Sequence, residues 1–339
     1  MTNGRETSKA ASMSPDLPAP LRLAADRLME GVSRRDMAER ASAISARYRA
    51  GGTSAGVVGS EADATAYVLT RLPATYAACA RVFAETAERA PDFAPASLLD
   101  AGAGPGGAGW AAMEAWPAIQ RASLLDSNRA FLDMAATLAA EGPDPLRDAD
   151  RRKGDLTSPA DWPTADLVVA SYALAEIPTA RQAQTVAALW AATEGLLVLV
   201  EPGTPAGYAR IIAARETLIA AGGTVLAPCP HQQACPLVAP DWCHFSQRLA
   251  RSRDHRLAKG AEAPFEDEKF SYLVAARPSV PALAPTPRVL TPPHMSKPGV
   301  DLKLCTLEGR AELGFVPRRD KRAYAIARRL DWGDALPDE

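Results

Sequence analysis

Ser97-Leu-Leu-Asp100-Ala-Gly102-Ala-Gly104-Pro-Gly106-Gly107 decides the fold of this chain. An apolar run ends on a carboxylate, the chain turns through closely spaced glycines, and a helix-forming stretch, 107–116, follows. Glycine has no Cβ, so the backbone can turn tightly there and a ligand can approach it. Dinucleotide-binding sheets also use a Gly-rich strand–turn–helix, so the turn alone names no ligand.

Three carboxylates narrow the choice. Asp126 ends the next apolar run, Ala122-Ser-Leu-Leu-Asp126, where it can accept hydrogen bonds from both hydroxyls of a ribose. Gly154-Asp155-Leu156 precedes the fourth strand, where a short acidic side chain addresses an adenine amine. Asp100 ends the first strand, near the place of a cationic methionine group. Each aspartate alone also reads as a helix cap or a solvated turn. Together and in this order they favour S-adenosylmethionine over a nicotinamide. The expected cofactor set is Asp100, Gly102, Gly104, Gly106, Asp126 and Asp155.

Outward from the turn, short apolar runs alternate with helical stretches. Strands are expected at 97–100, 122–126, 166–171, 196–200, 224–227 and 270–276, and helices at 107–116, 129–140, 180–192 and 208–221. Such alternation builds a parallel α/β sheet, here a class I methyltransferase (Rossmann-like) domain over 96–277. Ahead of it, residues 20–95 read as a helical module. Leu21, Leu23, Leu28 and Met29 give one periodic set, and Tyr67, Val68, Leu72, Tyr76 and Phe83 another, with a Gly/Ser break at 51–56. Residues 1–19 read as a disordered N-terminus. Behind the domain, 278–339 hold a Pro-rich linker, two strands (302–307 and 311–316) around Glu308-Gly-Arg310, and a basic, helix-like tail.

The fourth strand runs into Ser171-Tyr-Ala-Leu-Ala-Glu176-Ile-Pro178. Residues after this strand line the methyl-transfer face of the fold, so Tyr172 and Glu176 are the candidate catalytic pair. Tyr172 would stack on a flat substrate, and Glu176 would accept a proton or a hydrogen bond. The competing reading is that Tyr172 packs and Glu176 caps the next helix. No Asn-Pro-Pro-Tyr element is present, and no Pro-Cys nucleophile of the pyrimidine C5 type stands at the expected strand ends, so the sequence does not itself demonstrate catalysis.

The bulk numbers exclude some classes. The net charge of −2 over 339 residues gives no general field for a polyanion, so a nucleic acid must be met by local patches. No apolar run approaches the roughly 20 residues that cross a bilayer, and Met1–Pro20 lacks the apolar core of a secretory signal. A cytoplasmic protein with no membrane partner is expected.

Five cysteines, an odd number, argue against a disulfide framework. Cys79 lies among alanines and reads as core. Cys229, Cys235 and Cys243 fall in a connection, 228–265, long enough to be functional. Three thiolates call for a fourth ligand to hold zinc or an iron–sulfur centre. Cys305 supplies one if the C-terminal unit folds back, and His231 or His244 would complete a Cys3His zinc site. Buried free cysteines remain the plain alternative.

Val200-Glu-Pro-Gly-Thr-Pro-Ala-Gly207, Ala227-Pro-Cys-Pro-His231, Asp241-Trp-Cys-His-Phe245 and Phe265-Glu-Asp-Glu-Lys-Phe-Ser-Tyr272 together resemble the ribosomal small subunit protein twenty-two family. The resemblance spans roughly Leu21 to Arg329. It implies a methyltransferase-like protein that associates with the small ribosomal subunit and acts in its assembly by contacting ribosomal RNA, alongside ribosomal proteins. It implies that Cys229, Cys235, Cys243 and Cys305 hold a 4Fe-4S cluster, with zinc as the alternative. It maps the S-adenosylmethionine pocket onto Gly102, Gly104, Gly106 and Asp126.

Two basic runs agree with an RNA partner: Arg318, Arg319, Lys321, Arg322, Arg328 and Arg329 in the tail, and Arg248, Arg251, Arg253, Arg256 and Lys259 after the cysteines. Each run alone also reads as a solvated helix face. Three functions follow: an RNA-directed methyltransferase, a non-catalytic assembly factor with a structural or redox-sensing cluster, and a small-molecule methyltransferase with a zinc site.

Overall fold

A computed structural model describes residues 16–49, 53–159 and 161–336. Five helices come first: α1 (Ala19–Arg27), α2 (Arg34–Arg49), α3 (Ser54–Val57), α4 (Glu61–Thr70) and α5 (Leu72–Arg89). The sheet region follows as β1 (Ser97–Ala101), α6 (Gly107–Ala115), β2 (Arg121–Asp126), α7 (Arg129–Ala139), α8 (Asp144–Arg147), β3 (Asp150–Lys153) and β4 (Ala165–Ser171). It continues with α9 (Thr179–Ala191), β5 (Thr193–Pro202), α10 (Pro205–Ala220), β6 (Thr224–Ala227), β7 (Phe245–Ala250), α11 (Arg253–Lys259) and β8 (Phe265–Ala276). The chain ends in β9 (Arg288–Val289), β10 (His294–Met295), β11 (Gly299–Cys305), β12 (Ala311–Pro317) and α12 (Lys321–Ala327).

The main sheet runs β3-β2-β1-β4-β5-β8-β6, with β7 paired to β8. All neighbours from β3 to β5 are parallel, while β8 is antiparallel to β5, β6 and β7. This is the class I methyltransferase arrangement. Its central strands are apolar throughout because both faces are covered. Leu98, Leu124, Leu167 and Val198 join one core layer, and Leu99, Leu125, Val168 and Leu197 join the other. The strand order reverses between β1 and β4, and a ligand crevice opens at the carboxyl ends there.

The helical module shares the first of these layers. Leu21, Val68, Leu72, Tyr76 and Phe83 are buried with α6 and α7, and α5 lies along α6. Leu23 departs from expectation, being exposed. Of the expected disordered N-terminus, residues 1–15 lie outside the described residues, and α1 begins at Ala19. α3 starts inside the Gly/Ser break, with 50–52 outside the described residues.

Four strands escaped the sequence reading: β3 and β7 in the main sheet, and the two-residue β9 and β10 in the expected Pro-rich linker. β3 is Asp-Arg-Arg-Lys on a sheet edge, so it has no apolar period to read. β7 cuts across the expected cysteine insertion, 228–265, and pairs with the charged front half of β8, which extends that strand back to Phe265. The C-terminal unit forms its own sheet, β10-β11-β12, with β9 on β11. α12 packs on one face of it through Ala327 and Tyr324 against Val300 and Leu302.

Candidate functional site

The turn from β1 into α6 places Gly102, Gly104 and Gly106 at φ +78°, +53° and +88°, left-handed backbone that other residues avoid. The N–H groups of Gly102 and Ala103 both donate to Leu125 O, at 2.7 and 3.0 Å, which ties the turn to the end of β2. The next residue of β2, Asp126, accepts from Gly104 N–H through Oδ2 and from Asn128 N–H through Oδ1, each at 2.7 Å. Burial pushes its carboxyl above the usual range, and these two bonds oppose the rise.

A cleft of about 370 Å³ opens on this turn, within the roughly 300–1,000 Å³ of small-molecule sites. Gly102, Gly104, Asp126, Asp155, Tyr172 and Glu176 all line it. An aromatic wall stands opposite, with Tyr67 and Phe131 centroids 4.7 Å apart and Tyr48 beyond at 6.3 Å. A Cβ on Gly104 would meet nothing within 4 Å, so the space beside that backbone is open. Asp155 stands at the exposed rim, its Oδ1 accepting from Thr157 N–H and Oγ–H. The glycine cradle and the buried Asp126 suit a nucleoside with a free ribose.

Two expected cofactor residues do not reach the cleft. Gly106 caps the start of α6. Asp100 is fully buried beneath the turn, where its Oδ2 accepts from Gly109 N–H at 3.1 Å and its Oδ1 has no partner. Its side chain braces α6 instead of facing a methionine group, and burial pushes it up to about 7.

The two candidate catalytic side chains are both engaged inside the protein. Tyr172 has φ +58°, rare for a residue with a Cβ, and its N–H donates to Val200 O at 2.7 Å. Its hydroxyl donates to Glu268 Oε1 on β8 at 2.8 Å. Glu176 Oε2 accepts from Ser54 N–H at 2.8 Å and Ser54 Oγ–H at 2.7 Å. It therefore caps α3, across 122 residues of sequence, and not the helix that follows it. Asn128 Nδ2 grips the same segment, donating to Ser54 O and Val58 O at 3.1 and 2.9 Å. Residues 53–58 are thus latched over the cleft. Glu201, also outside the sequence reading, is fully buried on β5 and pairs with Arg210 at 2.6 Å, while burial pushes it up to about 7.

A second cavity lies against β8, between α10 and the C-terminal sheet. Cys229, Cys235, Cys243 and Cys305 all line it, so the C-terminal sheet does fold back to deliver Cys305. Four separate stretches of backbone hold the set. Ser271 Oγ donates to Cys243 O at 2.8 Å, and Tyr208 Oη donates to Cys235 Sγ at 3.2 Å. Cys305 lies 3.3 Å from His231 Nε2. Lys303, two residues before Cys305, pairs with Asp241 of the cysteine loop at 2.6 Å. His244 does not line the cavity, since its ring stacks on Trp242 and meets Trp332 edge-on. Burial pushes the Cys229 and Cys243 thiols up, and Cys305 up to about 12. Cys79 is core, as expected. Among the described residues, no three His, Cys, Asp or Glu side chains converge tightly enough to hold a single metal ion.

A family model described as mitochondrial small ribosomal subunit Rsm22 matches residues 61–337. The chain belongs to the Rsm22 family. It is 32% identical to the human "Ribosome assembly protein METTL17, mitochondrial", over 80% of this chain and 62% of that one. It is 26% identical to "Rsm22-cox11 tandem protein 2, mitochondrial" of Schizosaccharomyces pombe, over 71% of this chain and 38% of that one. The chain therefore spans between about two fifths and three fifths of the length of these relatives. Among solved structures, magnesium protoporphyrin IX methyltransferase from Synechocystis with bound S-adenosylmethionine matches at a TM-score of 0.39 and 17% identity, over 60% of this chain and 80% of that one.

In this Rsm22-family chain the two basic runs fare differently. Arg248 pairs with Asp267, while Arg251 and Lys259 both pair with Glu266, all within 3.0 Å. Three of the five cations in that run are thus engaged by β8, while Arg253 and Arg256 form no ion pair among the described residues. In the tail, Arg318, Arg319, Lys321, Arg322, Arg328 and Arg329 are all exposed, and none forms an ion pair among the described residues. No helix among the described residues is long and apolar enough to cross a membrane.

Proposed function

We infer that this chain binds S-adenosylmethionine in the cleft over Gly104 and Asp126, carries a 4Fe-4S cluster on Cys229, Cys235, Cys243 and Cys305, and works with the small ribosomal subunit during its assembly. The observation that carries this reading is the meeting of Cys305, from the C-terminal sheet, with Cys229, Cys235 and Cys243 of one connection in a single cavity. Family membership and the naming of the human relative as a ribosome assembly protein support the ribosomal part. A tetrahedral zinc site needs every sulfur about 2.3 Å from one point. The four sulfurs line one cavity, and four thiolates are the full ligand set of a 4Fe-4S core. The cluster would supply a rigid four-point clasp between the main sheet and the C-terminal unit. The exposed tail cations supply phosphate contacts for ribosomal RNA. The compartment proposed for this chain is the cytoplasm of its source cell, whereas both relatives are named as mitochondrial.

Methyl transfer to RNA is the second reading, favoured by the open space beside Gly104. Against it stands the engagement of Glu176 Oε2 by Ser54, and the Tyr172 hydroxyl is given to Glu268. Anaerobically purified protein should contain iron and acid-labile sulfide near four atoms each per chain. It should bind S-adenosylmethionine, and it should co-sediment with small-subunit particles. Protein free of iron and sulfide, or one that ignores the particles, overturns the assignment. Transfer of labelled methyl to small-subunit RNA would promote the second reading.

A further inference from the structure

Two guanidiniums face the cysteine cavity, and they differ in what balances them. Arg288 on β9 pairs with Glu85, and it donates from Nε to Pro228 O at 3.1 Å and from Nη1 to Gly333 O at 2.8 Å. Arg215 on α10 is just 2% exposed. Its Nη2 donates to His231 O at 2.9 Å and to Gln233 O at 2.6 Å, both in the loop between Cys229 and Cys235. Among the described residues no carboxylate pairs with it, and its buried Nε–H has no hydrogen-bond partner.

A guanidinium stays protonated at any pH a protein meets, and a buried charge without a counterion is strongly unfavourable. The groups nearest to supply an anion are the four sulfurs that share the cavity with Arg215. As free thiols they are neutral and do not. Thiolates bound to an inorganic core do. A 4Fe-4S core with four thiolates is a net anion, and one-electron reduction adds to that charge.

We propose that Arg215 is the countercharge of the four-thiolate centre, and that its two carbonyl bonds hold the Cys229–Cys235 loop around it. The proposal rests on the cluster reading above. Arg215 acts through the sulfurs and is a positioning residue. A fixed cation beside the centre favours the reduced form over the oxidised form, so its removal makes reduction harder.

The test uses the full chain, purified anaerobically, with iron and sulfide analysis and a dithionite titration followed by electron paramagnetic resonance. In Arg215→Met the midpoint should move to more negative potential. In Arg215→Lys, which keeps the charge but loses the planar fork, the midpoint should stay nearer the wild-type value while the cluster is lost faster in air. A wild-type chain without iron and sulfide sinks the cluster reading and this proposal with it. A normally loaded Arg215→Met chain with unchanged midpoint sinks the proposal alone. If Arg215→Met folds by circular dichroism but takes up no cluster, rescue by Arg215→Lys supports the countercharge, and equal loss in both variants overturns it.

Discussion

Gly102 and Gly104 share one kind of backbone, yet they should answer substitution differently. A Cβ on Gly102 would lie 2.7 Å from the Ala173 Cβ, whereas one on Gly104 would meet open space. Both alanine variants incur the left-handed penalty of roughly 1–2 kcal/mol, and Gly102→Ala adds an overpacking cost of about 1–3 kcal/mol. Gly102→Ala should therefore melt several degrees below Gly104→Ala. Titration calorimetry should show Gly104→Ala binding S-adenosylmethionine at least about tenfold more weakly, since one lost contact of about 1.4 kcal/mol suffices. Equal melting temperatures would contradict the packing argument. Asp100 makes a pH-dependent counterpart. Burial lifts it from 3.8 to about 7, so between those values the folded chain holds a proton that the unfolded chain has released. Stability must then fall as pH rises through that window, by about 1.4 kcal/mol per unit for one such group. Asp100→Asn should remove its share of that slope in urea titrations between pH 4 and 7, leaving the similar share from Glu201. The glycines and Asp126 were legible in sequence because they act within one turn. The burial of Asp100 was not, because it depends on the distant helices packed over it.

At the level of elements, the strands with apolar runs were readable and those without were not. β1, β2, β4 and β5 announce themselves because each is buried on both faces, while β3 and the front of β8 are charged and take their conformation from a neighbour. The same limit hid the latch on α3. Nothing in Thr53-Ser54-Ala55 indicates that Ser54 meets Glu176 and Asn128, each more than 70 residues away. If this segment gates the cleft, removing one grip should speed ligand exchange while leaving the pocket walls intact. Ser54→Ala loses the hydroxyl bond but keeps the backbone bonds, so about 1 kcal/mol of latching is removed. The release rate of S-adenosylhomocysteine, followed by stopped-flow fluorescence, should rise roughly fivefold. Glu176→Gln should do the same or more, since the charge-assisted bond is the stronger kind. Unchanged release in both variants would show that 53–58 is plain packing. Faster release with a normal melting profile would make Glu176 a latch residue and not a base.

Across the whole molecule, charge is sorted in a way that the net value of −2 conceals. Arg248, Arg251 and Lys259 around β7 and α11 are engaged by Asp267 and Glu266 of β8, so they brace that part of the sheet. The tail cations have no such carboxylates across from them. They cluster beyond β12, an edge strand whose Leu313 is 86% exposed and whose Phe315 is also exposed. Sequence alone could not separate the two runs, because the acids that cancel the first lie in another strand. The difference predicts that only the tail cations carry the salt dependence. Each phosphate contact adds about 0.7–0.9 to the slope of log affinity against log salt. Replacing Arg318, Arg319, Arg322 and Arg328 together by alanine should lower that slope by roughly three in a small-subunit RNA titration and weaken binding at low salt. Arg248→Ala should leave the slope as it is, because its charge is already met by Asp267. If the tail variant kept the wild-type slope while Arg248→Ala lost it, the RNA surface would lie on the β7–β8 edge, with the ion pairs there opening on contact.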